Sequence, residues 1–189
     1  MTKFDEIKKQ VQKILLKSPL DFEVTHSGLV LKWVLKLKPD ADEALKISAI
    51  SHDIDRAVTG ITEKDLKDYS KIDEFKKAHS IRSAKFIVEI LKMNNYSSNI
   101  VKKVKHLVEN HEFGGDPDTD ILKDADSIAY FEYNIPSYLK RNGQQRTEEK
   151  IRFMYKRLSP KGKKMMKEVK YKDKHISSIV KQSLSKLKK

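Results

Sequence analysis

The stretch "ISAISHDIDRAVTG", residues 47–60, decides how this chain is read. Helical spacing places His52 and Asp53 above Ala49 and Leu45, at the end of an almost wholly apolar run. A chargeable pair at the buried end of a helix needs partners, because burying an unpaired carboxylate costs several kcal/mol or more. Outward from this run, apolar positions recur at helical spacing, β-branched alternation is absent, and only six glycines and five prolines punctuate the chain. The pattern predicts an all-α bundle of about eight helices, near 3–17, 22–37, 41–57, 73–93, 98–111, 119–133, 147–157 and 174–187. "SPLD" and "KPDAD" supply prolines and capping aspartates, "NNYSS" marks a turn, and "FGGDPDTD" marks a break.

Three more histidines share an inward stripe with apolar neighbours. His26 lines up with Leu29, Val30, Trp33, Val34 and Leu37; His79 lines up with Phe75, Ser83, Phe86, Ile87 and Ile90. His111 closes a stripe of Ile100, Val101, Val104, Leu107 and Val108. His106, among Lys102, Lys103, Glu109 and Asn110, falls on a solvent face, as does His175 in the basic tail. Taken singly, an inward histidine is an ordinary hydrogen-bonded core residue. Four of them, one beside an aspartate, point to a shared cation, and imidazole with carboxylate suits zinc, manganese, iron or cobalt. Periodicity leaves the last carboxylate open. Asp124 aligns with Ile121, Ile128 and Phe131, whereas Asp126 aligns with Leu122, Ala129, Tyr130 and Tyr133.

The ordered set His26, His52-Asp53, His79, His111 and the aspartate of "LKDADSIAYFE" resembles the HD-domain superfamily of metal-dependent phosphohydrolases over residues 22–133. The resemblance implies an HD-like helical bundle and favours Asp126, with Asp124 as the alternative. It implies His26, His52, Asp53 and Asp126 around a first metal, with Asp53 bridging to a second held by His79 and His111. One or two divalent ions (manganese, iron, cobalt, zinc, nickel or magnesium) then activate water against a nucleotide or another small phosphate ester. Arg56 and Arg82 are the local cations for the phosphate oxygens, with Asp55 or Glu89 as their structural alternatives. Small deoxynucleotidases of the superfamily carry a glutamate where this chain has Arg56. Asp53, Arg56 and Glu112 are therefore the catalytic candidates, and Glu112 or Asp55 must supply any general acid. The Gly-Tyr-Pro segment of cyclic dinucleotide phosphodiesterases is absent from "NHEFGGDP".

Composition bounds these readings. A chain of 189 residues predicts a single domain, 1–189, with the metal motifs in 22–133 and a basic helical extension in 147–189. The absence of cysteine excludes disulfides, thiolate zinc sites and cysteine nucleophiles. The first residues, "MTKFDEIKKQVQKILLK", are amphipathic rather than a signal core, and no run approaches the roughly 20 apolar residues of a membrane span. These features predict a soluble, cytoplasmic protein. The net charge of +13 is local: residues 150–189 hold fifteen Lys or Arg against two acids, which equals the whole excess. Such an end attracts anions, so one rival reading is a non-catalytic HD scaffold that binds nucleotide, or nucleic acid through the basic C-terminus. The resemblance implies a second rival, a di-iron oxygenase, because the same superfamily pattern can hold two irons. In the last helix Ile176, Ile179, Val180 and Leu187 oppose the lysines, which predicts docking on the domain itself.

Overall fold

The structure, a computed structural model, describes residues 1–187; Lys188 and Lys189, at the end of the basic extension, lie outside the described residues. Among the described residues the chain is all-α, without strands. The α-helices are α1 (Lys3–Leu15), α2 (Glu23–Leu37), α3 (Glu43–Ser51), α4 (Ile54–Thr59), α5 (Ile72–Met93), α6 (Ser98–Asn110), α7 (Pro117–Ala129), α8 (Ile135–Lys156), α9 (Pro160–Met166) and α10 (Lys174–Ser185). Most start at a side-chain cap: Thr2, Asp42, Ser97, Asp116, Ser159 and Asp173 each accept a backbone N–H of the first turn.

The centre is α3. Ala44, Leu45, Ile47, Ser48, Ala49, Ile50 and Ser51 are all buried, so this helix is covered on every side. Its two serines are neutralised locally, Ser48 donating to the Ala44 carbonyl and Ser51 to that of Ile47. Around it, α2 packs on α3 and α7, and α6 packs on α3 and α5. The apolar face of α10, with Ile176, Ile179 and Val180 buried, lies on α8 as expected.

Four element boundaries differ from expectation, each for a local reason. The predicted helix 41–57 breaks between Ser51 and Ile54, where Asp53 leaves the helical region with ψ at 13°. Gly60, at φ 74°, then closes α4 in the left-handed conformation that a side chain resists. The predicted helix 119–133 ends at Ala129 in a wider π turn over Tyr130–Asn134. Residues 135–146, read as connection, form the first part of α8, which is broken at Gly143 (φ 75°) and continues through the predicted 147–157. The expected helices include none at 160–166, where α9 forms; Pro160 occupies its first turn, where its missing N–H costs nothing.

Candidate metal centre

The break after α3 is what builds the site. It turns His52 and Asp53 out of the central helix towards side chains from α2, α5, the end of α6, and α7. His26, His52 and Asp53 offer ligand atoms within 4.8 Å of one another; so do Asp53, His79 and His111, and Asp53 is common to both sets. Asp126 joins the first set, its Oδ1 lying 3.2 Å from His26 Nε2 and 3.8 Å from His52 Nε2. In the second set Asp53 Oδ1 is 2.9 Å from His79 Nε2 and 3.7 Å from His111 Nε2. All six side chains are buried.

Every imidazole is held by its Nδ1 against an acceptor outside the cluster. His52 Nδ1 donates to the Ala49 carbonyl at 3.1 Å and His111 Nδ1 to the Val108 carbonyl at 2.7 Å. His26 Nδ1 faces Asn134 Oδ1 at 3.0 Å, and His79 Nδ1 faces Asp55 Oδ2 at 3.0 Å. The four Nε2 atoms therefore converge, which is how proteins present imidazole to a metal. Those of His52 and His111 are buried with no hydrogen-bond partner among the described residues. Orphaned lone pairs of this kind, ringed by carboxylates, are the donor set a divalent cation satisfies. The cluster could hold a metal ion.

Electrostatics point the same way. Burial opposes charge on His52, yet the Asp53, Asp126 and Glu23 carboxylates outweigh it and raise the imidazole to about 9. At His111 burial prevails and the imidazole is lowered. Burial also works against Asp53 and Asp126, but Arg56 and His52 hold the first, and His26 and Arg157 the second, below the ordinary carboxylate range. Both carboxylates are thus anionic and face ring nitrogens that bind either a proton or a cation.

The remaining candidates divide. Arg56 lines the cleft beside the cluster and reaches both Asp53 and Glu23 Oε1, the latter at 3.2 Å. Arg82 does not belong to the site: its Nε and a terminal nitrogen clasp Asp55 at 2.9 and 2.8 Å, the structural alternative. Asp55 is fully buried behind His79, where it orients that ring and cannot act as a general acid towards the cleft. Asp124 is also excluded from the cluster, since its carboxylate accepts Ser159 N at 2.8 Å and the Ser159 hydroxyl, fastening the start of α9. Glu112 lines the cleft as an ion-paired carboxylate. Burial raises its carboxyl, and Arg157 and Lys76, at 3.3 and 3.4 Å, more than reverse this and bring it to about 2.

Several residues escape sequence reasoning. Asn134 lies in the π turn, and Arg157 at the end of α8 reaches Asp126 Oδ2 and the carbonyls of His111 and Glu112, each at 3.2 Å. Glu23 and Lys76 are buried charges next to the cluster. Nothing in their spacing marks them; only an unexplained charge at an inward position, such as Lys76 one turn before His79, gives a hint. The cleft itself encloses about 120 Å³ over Asp53 and Asp126, with Arg56, Arg141, Lys150 and Arg157 on its walls and Phe22, Tyr130 and Tyr138 at one side.

Fold and site together define an all-α protein with a buried His/Asp cluster that could hold a metal. The chain belongs to the family described as a domain of unknown function, DUF4202, whose pattern matches residues 2–180. No curated protein and no solved structure matches the chain. Among the described residues, no helix is long and apolar enough to cross a membrane.

Proposed function

We propose that this chain is a metal-dependent phosphohydrolase of the HD type, acting on a nucleotide or another small phosphate ester. One observation carries the reading: four Nε2 atoms and the Asp53 and Asp126 carboxylates converge at the floor of a cleft walled by arginine and lysine. His26, His52, Asp53 and Asp126 would hold a first divalent ion, and Asp53, His79 and His111 a second. Such ions supply Lewis acidity and make hydroxide accessible near neutral pH. The chain's own side chains do the rest. Arg56 and Arg157 sit between the metal-facing carboxylates and the cleft, so their guanidinium groups can meet phosphate oxygens while keeping Asp53 and Asp126 ionised. The Tyr130 hydroxyl, buried and without a partner among the described residues, is free to hydrogen-bond the substrate. Glu112 stays anionic and fixes Arg157 and Lys76.

Metal analysis of protein purified without chelator, followed by phosphate release across a panel of phosphate esters, tests this reading. Bound divalent metal and hydrolysis of at least one ester are expected, and Asp53→Ala should lose both. Undiminished hydrolysis by that variant rejects the mechanism.

A further inference from the structure

A second cavity, of about 140 Å³, lies between α5, the start and middle of α8, and the connection from α4 to α5. On the same measure one water needs roughly 10–15 Å³, so there is room for a tetrahedral anion with its hydration. Lys76, Arg146 and Lys150 line it, together with one carboxylate, Glu149, and with Tyr69, Tyr138 and Phe153. The Lys76 side chain is only 6% exposed, and its Nζ sits 4.0 Å from the Phe153 ring centre. Lys150 and Arg157 approach the same ring to 5.6 and 6.0 Å, so three cations gather around one aromatic ring. The fourth cation, Arg146, lies 4.6 Å over the Tyr69 ring and forms no ion pair among the described residues.

The local carboxylates do not balance this cluster. Glu63 answers Lys150 at 3.1 Å, and Glu112 is shared between Lys76 and Arg157. Its contact with Lys76, at 3.4 Å, is an ion pair without a hydrogen bond, and Glu149, the one carboxylate lining the cavity, is exposed, leaving three carboxylates to four cations. Like charges brought together around a partly buried cavity, with Lys76 itself out of water, are unfavourable unless an anion joins them. An arginine fork and two ammonium groups, set beside the Tyr69, Tyr138 and Phe153 rings of a half-open cavity, are matched to phosphate. We propose that this cavity is a binding site for a phosphate group, held by Lys76, Arg146 and Lys150.

The cavity shares Tyr138 and Lys150 with the metal cleft. The phosphate is therefore either the second phosphate of one substrate or a separate free phosphate beside it. The site stands on its own charge and shape; only its link to turnover rests on the function proposed above.

Calorimetric titration of inorganic phosphate into the chelator-treated full chain tests the site, because no ion then holds phosphate in the neighbouring cleft. Saturable binding is expected, weakened about tenfold or more in Lys76→Met and in Arg146→Gln. Lys181→Gln, an exposed cation on α10, should bind as wild type. Arg146 is itself exposed, so its variant keeps the test valid even if Lys76→Met folds poorly. No saturable binding by the wild type, or equal binding by wild type and Arg146→Gln, overturns the proposal. On metal-loaded protein, adenosine bisphosphate binding about tenfold tighter than adenosine monophosphate, with the gain lost in Arg146→Gln, identifies a second substrate phosphate. Equal affinities for the two, with inorganic phosphate still bound alongside, identify a separate phosphate. A chain that binds phosphate here yet hydrolyses no ester keeps the site and rejects the phosphohydrolase.

Discussion

Asn134 stands 108 residues from His26 in the chain, yet its amide oxygen decides which imidazole nitrogen faces the cluster. By accepting a hydrogen bond from Nδ1–H it leaves the Nε2 lone pair for the cation, the role that Asp55 plays for His79 and backbone carbonyls play for His52 and His111. Outer partners of this kind are worth about 10- to 100-fold in metal affinity. Asn134→Ala should weaken divalent metal binding by that factor in a competition titration, with the helical circular dichroism retained. An unchanged dissociation constant would mean that His26 is oriented by Asp126 alone. Arg157 acts at the same scale but on stability. Its guanidinium is the shared cation of two buried carboxylates, so Arg157→Met leaves Glu112 with Lys76 alone and Asp126 with the imidazoles alone, and should cost about 3 kcal/mol in denaturant unfolding.

Among the elements, α7 has the most directly testable end. Asp116 caps it, accepting the N–H groups of Asp118 and Thr119, while Thr119 returns a bond to the Asp116 N–H. Asp116→Ala should destabilise the fold by about 1 kcal/mol, and Asp116→Asn, which still caps, by much less. The same group carries a pH dependence. Burial works against the Asp116 carboxylate, but His106, Thr119 and the helix N–H groups bring it to about 2 from 3.8. A lowered carboxyl contributes stability that is complete above the unfolded value and is lost as pH falls towards the folded one. Unfolding midpoints measured from about pH 5 down to about pH 2 should therefore fall more steeply for the wild type than for Asp116→Asn; parallel curves would remove Asp116 from the acid response. His106, the largest of these favourable contacts, is itself mostly exposed, so solvent screening reduces what it contributes to stability.

For the whole molecule, a cation that binds only the folded chain must raise its stability. At about a hundredfold excess over the dissociation constant the gain is about 2.7 kcal/mol, or roughly 5 to 10 °C in Tm for a chain of this size. Thermal unfolding with chelator and then with manganese or zinc should show that shift in the wild type and lose it in Asp53→Ala. Much of this molecule was legible in its residues. The helical class and the α2, α5 and α6 stripes follow from a 3.6-residue period, and His26, His52, His79 and His111 are inward because their own helices place them so. Residues 135–146 were not, since "IPSYLKRNGQQR" has few apolar positions and a glycine, and its helical state is sustained by packing. Nor could spacing separate Asp126 from Asp124, or free Arg82 from Asp55, because each choice depends on a partner far away in the chain. Periodicity is a property of one helix, and it determined which side chains turn inward. Only the packing of helices against one another decided which of those inward groups meet, because contact between distant charges is set by three-dimensional proximity that no local pattern encodes.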